Sequence, residues 1–487
     1  MSDTFEAGEF TLHRVREHVW EMPQEGDMRV PARVLASRPL LEEIAEDKTL
    51  QQLRNTTHLP GIRKYALCMP DGHQGYGFPV GGVAGIDTED GCISPGAVGY
   101  DINCGVRMMK TNLVYDDLRG HEEELVDALF EAIPSGLGGG GVVEGDRHTV
   151  EQVLDRGMDY ALEQDWAIED DLEHCEDEGY RPEADPGAIS KKAKDRGMNQ
   201  LGSLGSGNHF LEVQRVTDIF DESVADAYGL SEDQIVVLIH CGSRGLGHQT
   251  CNDYLREIEQ AHQGLLSQLP DKELAAAPAG SQLADEYYRA MCAAINFAWV
   301  NRQLIMHRTR HVFADVFDRS WEEMEMHLLY DVAHNIAKKE VHDVGDEERE
   351  LFVHRKGATR AFPAGRPEVP AAYRDTGQPV IIPGSMGAGS YVLRGGEQSM
   401  AETFGSTAHG AGRLMSRTQA KNEFWGGDVQ TDLREQQQVY VKAQSGATIA
   451  EEAPGVYKDV DEVVRVSDAL GIGDKVARTF PVCNIKG

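Results

Sequence analysis

Residues 206–212 read Ser206-Gly207-Asn208-His209-Phe210-Leu211-Glu212. A Gly-Asn turn leads into an apolar run that is typical of a strand, so His209 is expected where a loop becomes a strand. An imidazole there can offer one ring nitrogen to a cation while a backbone carbonyl fixes the other. Because an isolated histidine is more commonly an ordinary polar residue, the rest of the chain has to decide between these two interpretations.

Glycine clusters and apolar runs predict an α+β fold. The chain has 487 residues, 52 of them glycine, and clusters at 136–141, 202–207 and 384–389 suit turns that bring the backbone close to a ligand. We expect mixed sheets of short, glycine-linked strands with outer helices. No repeat divides the chain, so we expect one domain over residues 1–487, with a less characteristic part at 1–64 and surface insertions or loops at 166–186 and 268–284.

The periodicity of apolar residues predicts individual elements. Helices are expected at residues 33–54, 121–132, 150–164, 285–317 and 322–339, and another is expected to begin within 414–421. Strands are expected at 65–70, stopped by Pro70, and at 235–239, 379–382 and 391–393, with short strands across the glycine-rich residues 71–105. A glycine loop is expected at 138–141, and the acidic run 169–185 is interpreted as a solvated loop.

The charge of the chain limits the kinds of function it can have. Asp and Glu outnumber Lys and Arg by 81 to 47, giving a formal net charge of −34. This charge argues against non-specific electrostatic binding of nucleic acid. An acidic, lysine-poor composition is typical of proteins adapted to high salt. Eight cysteines without a regular framework favour a reducing compartment, and the chain has neither a signal-peptide core nor a membrane-length apolar run. We therefore expect a soluble, cytoplasmic protein.

One candidate site combines a thiol, a carboxylate and imidazoles. Asp101 and Cys104 lie three positions apart in a glycine-flanked turn, whereas His209, His240 and His334 could join them only through folding. Such a mixed donor set suits manganese, zinc or cobalt better than calcium or magnesium. From spacing alone, separate structural roles remain the alternative.

His409 is a candidate nucleophile. It precedes the helix expected near 414–421, where free amides and the helix dipole would favour an anion. An imidazole can attack phosphorus and hold it as a phosphoramidate, provided that its other nitrogen is oriented and the leaving phosphate is neutralised. Arg413, the loop 385–390 and Lys486 are candidates for that neutralisation.

Four blocks, in one order along the chain, resemble the RtcB family of RNA-splicing ligases. They read Ser94-Pro95-Gly96-Ala97-Val98-Gly99-Tyr100-Asp101-Ile102-Asn103-Cys104-Gly105, Leu204-Gly205-Ser206-Gly207-Asn208-His209-Phe210-Leu211-Glu212-Val213-Gln214, His240-Cys241-Gly242-Ser243-Arg244-Gly245-Leu246-Gly247-His248 and Pro383-Gly384-Ser385-Met386-Gly387. The resemblance runs from about residue 70 to the terminal Ile485-Lys486-Gly487, and blocks of this length are more specific than a single glycine motif. With the acidic composition, it indicates a halophilic archaeon as the source.

The resemblance implies an RtcB-like single-domain fold and a GTP-dependent ligase that joins RNA 3′-phosphate or 2′,3′-cyclic phosphate ends to 5′-hydroxyl ends. It also implies two manganese ions in each active site. Asp101, Cys104 and His209 would hold one ion, and Cys104, His240 and His334 would hold the other. His409 would become guanylylated, with Asp71 as a candidate to orient it.

The resemblance further implies contacts with nucleotide and RNA. Positions expected around the guanine nucleotide are Asn208, Phe210, Leu211, Glu212, Asn335, Pro383, Gly384, Ser385, Met386, Ser390, Gly410, Ala411, Gly412 and Lys486. Cations that could grip RNA locally are Lys191, Lys192, Lys194, Arg196, Arg244, Arg355, Lys356, Arg360 and Arg413. The expected partners are GTP, RNA in the form of tRNA halves or broken RNA, and an archease-type activator protein.

Two other functions stay open at this point. The same paired-metal centre could act as a phosphodiesterase or cyclic phosphatase without ligating. The chain could instead be a non-catalytic RNA-binding protein, although such a protein would not need Asp101, Cys104, His209, His240, His334 and His409 together.

Overall fold

The computed structural model describes residues 3–136 and 140–487 and confirms the α+β class, with helices packed against several mixed sheets. Residues 137–139, which include part of the glycine loop predicted at 138–141, lie outside the described residues. Within the described part of the chain, no helix combines the length and the apolar character needed to cross a membrane.

The strands are distributed along the whole chain. In order they are β1 (Thr4–Ala7), β2 (Phe10–Arg16), β3 (Val19–Met22), β4 (Ala32–Leu35), β5 (Ala66–Tyr76), β6 (Phe78–Asp87), β7 (Cys92–Ile93), β8 (Gly105–Val114), β9 (Phe210–Ile219), β10 (Gln234–Cys241), β11 (Ala277–Pro278), β12 (His327–Ala333), β13 (Asn335–Val344), β14 (Glu347–Lys356), β15 (Ala358–Arg360), β16 (Pro379–Ile382), β17 (Ser390–Gly395), β18 (Ser406–Ala408), β19 (Tyr440–Ala443) and β20 (Gly473–Lys486).

Most helices are short, and one is much longer than the rest. In order they are α1 (Arg38–Ile44), α2 (Thr49–Thr56), α3 (Tyr115–Leu118), α4 (Glu122–Ala132), α5 (Arg147–Arg156), α6 (Met158–Glu163), α7 (Glu169–Glu173), α8 (Lys191–Gly197), α9 (Glu222–Tyr228), α10 (Arg244–Ala261), α11 (Gln263–Leu266), α12 (Gln282–Phe317), α13 (Ser399–Thr403), α14 (Arg417–Glu423), α15 (Gly426–Gln437), α16 (Gly446–Glu451) and α17 (Val460–Ala469).

Two large sheets organise the fold. Sheet I has the order β1-β2-β3-β4-β5-β6-β14-β13, and sheet II has the order β12-β8-β10-β9-β20-β17-β16, with β19 paired to β20. Neighbouring strands are antiparallel except for β4–β5 and β19–β20. Strands β8 and β12, which are far from β9 and β10 in the sequence, therefore lie beside them in sheet II.

Helix α12 forms the centre of the largest apolar core. Ser281 caps it by accepting a hydrogen bond from the Ala284 amide, and the helix packs against β10 and against α4, α5 and α10. Phe297, Trp299 and Phe313 on this helix are fully buried, and each aromatic side chain contributes about 2–3 kcal/mol of hydrophobic stabilisation when it is buried. The helix predicted at 285–317 is confirmed.

Other predicted elements are also present. The helix predicted at 121–132 corresponds to α4, and the one predicted at 150–164 is divided into α5 and α6 at Gly157, whose φ of 52° ends the first helix. The strands predicted at 235–239, 379–382 and 391–393 lie within β10, β16 and β17.

The helix predicted at 322–339 is wrong. These residues include β12 and the first half of β13, which meet at His334. Six of the seven residues of β12 are buried, and a strand buried on both faces gives a continuous apolar run that periodicity cannot distinguish from a buried helix.

The N-terminal part also differs from prediction. Residues 33–54 contain the end of β4 and two short helices, α1 and α2, instead of one helix. Strand β5 does not stop at Pro70, because its pairing with β6 shifts register between Cys68 and His73 and a proline without an amide hydrogen is tolerated there. The glycine-rich residues 71–105 include β6, a strand of 10 residues, so some strands are longer than expected.

The acidic run 169–185 is not simply a solvated loop. It includes α7, and the side chains of Asp171 and Glu176 within it are fully buried. Asp171 pairs with Arg310 at 2.7 Å and Glu176 pairs with Lys338 at 2.8 Å. Buried carboxylates require such partners, and both partners lie more than 130 residues away in the sequence.

The loop predicted at 268–284 and the placing of His409 at a helix start need correction. Residues 268–284 are not an isolated surface loop, since Ala277–Pro278 pairs with β7 and Leu274 is fully buried. The helix expected to begin within 414–421 starts at Arg417, eight positions after His409, which instead follows strand β18. His409 is therefore not at a helix N-terminus.

Candidate active site

The five predicted metal ligands meet at one end of sheet II. Cys104 immediately precedes β8 and His209 immediately precedes β9, whereas His240 is near the end of β10 and His334 follows β12. Because these neighbouring strands alternate in direction, the starts of two and the ends of two lie at the same edge. Asp101 joins them through the tight turn in which the Cys104 amide donates to the Asp101 carbonyl oxygen at 3.0 Å.

The ligand atoms form two groups that share Cys104. The Cys104 Sγ lies 3.4 Å from His209 Nε2 and 3.3 Å from His240 Nε2. His209 Nε2 is 2.8 Å from Asp101 Oδ2, and His240 Nε2 is 3.2 Å from His334 Nε2. Ligands that bind one ion at about 2.0–2.3 Å lie roughly 3–4 Å apart, so both groups fit a metal ion, and Cys104 is placed to bridge two ions.

Backbone carbonyls orient two of the imidazoles. His209 Nδ1 lies 2.9 Å from the Leu204 carbonyl oxygen, and His240 Nδ1 lies 3.0 Å from that of Asn208. Each carbonyl is placed to accept a hydrogen from Nδ1, so Nε2 is the ring nitrogen that would face a cation. The expectation that a carbonyl fixes the second nitrogen of His209 is confirmed.

Burial and charge set the protonation of this cluster. Burial and the neighbouring histidines hold the pKa of His240 and of His334 well below the usual value, so both rings are neutral as ligands require. Burial by itself would raise the pKa of Asp101, but the hydrogen bond and charge of His209 lower it to about 2. Burial raises the pKa of the Cys104 thiol to about 11, so a bound cation must displace its proton.

His409 is held by Asp71. The Asp71 Oδ2 lies 2.6 Å from His409 Nδ1 and also accepts hydrogen bonds from the His409 and Gly410 amides at 3.0 Å and 3.1 Å. Burial would raise the pKa of Asp71, yet the charge and hydrogen bonds of His409 outweigh it and keep that pKa below the usual range. The carboxylate therefore orients the His409 ring through Nδ1, so Nε2 is the ring nitrogen that Asp71 does not contact.

His409 and the metal-ligand cluster share one cavity. The His409 and His334 ring centroids are 4.8 Å apart. The cavity has a volume of about 270 Å³, and Asp101, Cys104, His240 and His334 lie in its wall together with His409. The His409 imidazole and two potential metal sites thus face the same space, an arrangement that suits transfer of a phosphoryl group.

Comparison with known proteins agrees with this geometry. The model of the family described as "RtcB: tRNA-splicing ligase RtcB" matches residues 52–487. The chain belongs to the RtcB family. Proteins named tRNA-splicing ligase RtcB from Thermococcus kodakarensis, Aeropyrum pernix and Archaeoglobus fulgidus are 54%, 50% and 49% identical to it. These alignments cover 97–98% of this chain and 99% of each relative.

Nine of the positions at which the RtcB resemblance implies nucleotide contacts line the cavity. They are Asn208, Phe210, Asn335, Pro383, Gly384, Gly410, Ala411, Gly412 and Lys486. Lys486 Nζ lies 4.8 Å from the Phe210 ring centroid and 3.9 Å from a Glu452 carboxylate oxygen. The cavity thus combines an aromatic surface with a buried cation, which suits a nucleotide.

The other five of these positions lie outside the cavity lining. Ser390 Oγ accepts a hydrogen bond from the Gly384 amide at 3.1 Å and so holds the glycine cluster at 384–389 in place. Glu212 is buried against Asn484 and Gln214, and burial raises its pKa to about 7. The remaining three, Leu211, Ser385 and Met386, are buried.

The proposed RNA cations differ in their exposure. Lys191, Lys192 and Arg196 on α8 are exposed, whereas Arg355 is fully buried and pairs with Glu340 at 2.6 Å. Arg360 is likewise buried, and it pairs with Asp177 at 3.1 Å. Arg355 and Arg360 are therefore not placed to contact RNA from the surface, because both pair with acidic side chains.

Three other cations of this set lie at the cavity or beneath it. Lys356 lines the cavity, and burial lowers its pKa to about 8. Arg413 also lines it and pairs with Glu452 at 3.0 Å, while Arg244 Nη1 lies 3.2 Å from His209 Nδ1. Lys194, by contrast, is paired with Glu151 at 3.0 Å on the surface of α8.

Sequence reasoning missed several cavity residues, namely His73, Tyr100, Arg417 and Tyr457. Two of them stood beside recognised positions. His73 is two positions after Asp71, and Tyr100 precedes Asp101. Adjacency to a motif residue in a glycine-rich turn was the signal that could have identified them. No comparable local signal marks Arg417 or Tyr457.

Proposed function

We propose that this protein is a GTP- and manganese-dependent RNA ligase that joins RNA 3′-phosphate or 2′,3′-cyclic phosphate ends to 5′-hydroxyl ends. The names of its relatives support RNA ligation in tRNA splicing. The observation that carries the proposal is the Asp71–His409 pair, with its 2.6 Å contact, in the same cavity as the two ligand groups that share Cys104. RNA repair would use the same chemistry on broken RNA.

The first step would place GMP on His409. The Nε2 lone pair attacks the α-phosphorus of GTP, a P–N bond forms, and the bond to the β-phosphate oxygen breaks as pyrophosphate leaves. The Nδ1 hydrogen stays hydrogen-bonded to Asp71 Oδ2, whose charge stabilises the positive imidazole of the phosphoramidate. The Lys486 ammonium and the Arg413 guanidinium, both in the cavity wall, are the side chains that can neutralise the triphosphate.

The buried ligand set would hold two manganese ions, which the mixed thiolate, imidazole and carboxylate donors suit. Asp101, Cys104 and His209 would hold one ion, and Cys104, His240 and His334 the other. Ions bound there would reduce the charge of the phosphates and activate water for opening a cyclic end.

The later steps would pass GMP to RNA and then release it. An oxygen of the RNA 3′-phosphate attacks the phosphorus on His409, the P–N bond breaks, and an RNA-3′-pp-G end forms. The 5′-hydroxyl oxygen then attacks the RNA 3′-phosphorus, loses its proton, and displaces GMP as the new phosphodiester forms. A 2′,3′-cyclic end must first be hydrolysed to a 3′-phosphate.

The guanine nucleotide would occupy the part of the cavity between Phe210, Lys486 and the loop at Pro383 and Gly384. RNA would approach over the exposed cations of α8, Lys191, Lys192 and Arg196. An archease-type protein is the proposed activator, and the cytoplasm is the proposed location.

Labelled GTP tests the function directly. The protein is incubated with manganese and α-labelled GTP, and we expect label on the protein that is lost in acid and retained in base, as a phosphoramidate requires. His409→Ala should retain none, while His311→Ala, which changes an exposed histidine on α12, should label normally.

The same preparation distinguishes an RNA ligase from the two alternative functions. RNA with a 3′-phosphate and RNA with a 5′-hydroxyl should be joined only when GTP is present. Cleavage of cyclic phosphate without labelling or joining would favour the metal-dependent phosphodiesterase, and binding of RNA without any chemistry would favour a non-catalytic binding protein.

A further inference from the structure

Helix α12 carries a polar triplet, Asn301-Arg302-Gln303, in the middle of the largest apolar core. All three side chains are fully buried, between apolar neighbours such as Trp299 and Leu304. Burying a guanidinium costs several kcal/mol unless it is paired and fully hydrogen-bonded. The partners of the triplet therefore indicate what it stabilises.

Arg302 binds the backbone beside two metal ligands. Its Nη1 donates at 2.7 Å to the carbonyl oxygen of Asn103 and at 2.7 Å to that of Cys241. Asn103 is joined to Cys104 and Cys241 to His240. One guanidinium nitrogen thus ties together the start of β8 and the end of β10, which carry the shared thiol and one ligand of the second ion.

Asp331 holds Arg302 in this position. Its carboxylate accepts from Arg302 Nε at 2.8 Å and from Nη2 at 2.7 Å, and it also accepts from Arg107 Nε at 2.7 Å. Asp331 lies on β12, three positions before His334. The ion pair therefore connects α12 to a third ligand-bearing strand.

Asn301 holds the loop that orients His209. Its Oδ1 accepts from the amides of Gly202 and Ser203 at 2.9 Å and 3.1 Å, and its Nδ2 donates to the Ser203 carbonyl oxygen at 3.2 Å. The next residue, Leu204, supplies the carbonyl that receives His209 Nδ1–H. Asn301 and Arg302 consequently contact β10 and β12 directly, and they also contact the segments that precede β8 and β9.

The same helix offers a contrasting ion pair. Arg310 is buried and donates to both carboxylate oxygens of Asp171, at 2.8 Å and 2.7 Å, and to the Met326 carbonyl oxygen at 2.9 Å. None of these partners is next to a metal ligand. Arg310 thus has the burial and bidentate pairing of Arg302 without contact to the ligand loops.

We propose that Arg302 and Asn301 are positioning residues that set the spacing of Cys104, His240 and His209, and thereby the affinity of the paired site for divalent cations. This inference rests on the metal part of the proposed function. A lysine cannot replace Arg302, because one ammonium lacks the planar fork that reaches Asp331 and two carbonyls together. Groups that orient metal ligands contribute about 10–100-fold to metal affinity.

The test compares Arg302→Lys with Arg310→Lys in manganese titrations followed by calorimetry, without GTP or RNA. Both changes break a bidentate buried pair, so both should lower the melting temperature by similar amounts. Only Arg302→Lys should weaken manganese binding, by about 10–100-fold. Asn301→Ala gives a second test should Arg302→Lys not fold, and it should weaken the ion held by His209 more than the other.

The outcomes are distinct. Wild-type affinity in folded Arg302→Lys or, where that variant does not fold, in folded Asn301→Ala would overturn the inference, as would an equal loss in Arg310→Lys. If the wild-type protein binds no divalent cation, the metal part of the proposed function and this inference fail together. If it binds two ions and Arg302→Lys matches it, only this inference fails.

Discussion

Replacing Asp71 by asparagine should slow guanylylation of His409 while preserving the fold. The Asp71 Oδ2 accepts three hydrogen bonds, from His409 Nδ1, the His409 amide and the Gly410 amide. An asparagine oxygen can occupy that position and accept the same three. Among the described residues the buried Oδ1 has no hydrogen-bond partner, so an amide nitrogen there breaks no hydrogen bond that the structure shows. Asp71→Asn therefore removes a charge and leaves the shape nearly unchanged.

The magnitude follows from that charge. Attack by Nε2 makes the imidazole positive, and with Asp71 Oδ2 at 2.6 Å from Nδ1 the charge centres lie about 4 Å apart. At an effective dielectric constant of about 20, opposite charges at that distance attract by about 4 kcal/mol. Losing this attraction in the transition state corresponds to about a 10³-fold slower reaction. Asp71→Ala should lose more, since it also frees the Nδ1 hydrogen.

The assay is single-turnover labelling with α-labelled GTP, manganese and excess protein, quenched in base. Asp87→Asn is a matched control because Asp87 is also a buried carboxylate, paired with Arg63 at 3.0 Å in sheet I. It should label at the wild-type rate. A folded Asp71→Asn protein that labels at a rate within tenfold of wild type would refute the electrostatic role of Asp71. If Asp71→Asn and Asp87→Asn lost the same fraction of the labelling rate, general destabilisation would explain the loss.

Four other outcomes are expected. Cys104→Ser should lower the manganese stoichiometry from two to at most one by calorimetry, whereas Cys251→Ser, a buried non-ligand, should not. Burial raises the pKa of Glu212 from 4.5 to about 7 in the folded protein. Between these pH values the folded state binds more protons at this carboxyl than the unfolded state does. The stability from this group is therefore complete below pH 4.5 and is lost as the pH rises through 7. Melting curves should show this loss, at most about 3 kcal/mol, and Glu212→Gln should remove it. Reversing the exposed Lys191 and Lys192 to glutamate should weaken RNA binding about tenfold at low salt and reduce its salt slope by about 1.4, with labelling by GTP unchanged. Ligation should need or tolerate molar KCl, given the formal charge of −34; activity confined to dilute buffer would contradict this.

Much of the candidate site could be predicted because its ligands stand next to strong local patterns. His240 directly follows a continuous aliphatic run. Cys104 and His209 lie in glycine-containing turns, each immediately before a strand, β8 or β9. A buried strand and a glycine turn are both visible in a single sequence. Grouping the ligands into two sets, however, depended on family resemblance, since nothing local shows that β12, β8, β10 and β9 are neighbours.

Several of the errors share one physical origin, which is that burial of a charge is decided by partners distant in sequence. Asp171, Glu176 and Arg360 look like solvated charges, yet each is buried against an opposite charge. Burial also explains why β12 was not predicted as a strand. It is buried along nearly its whole length, so its apolar run predicts a helix, and its one charged residue, Asp331, is tolerated only because Arg107 and Arg302 enclose it.

The buried ion pairs around β12 have a consequence for the candidate metal site. A ligand that follows an exposed edge strand could shift by an ångström at little cost, and such a shift is enough to lose metal affinity. His334 instead follows a strand whose last residue, Ala333, donates its amide to the buried Glu176 carboxylate at 2.9 Å. That carboxylate is in turn paired with Lys338 on β13. The two strands that meet at His334 are thus joined through one buried acid, and the position of this ligand depends on a residue that composition alone assigns to the solvent.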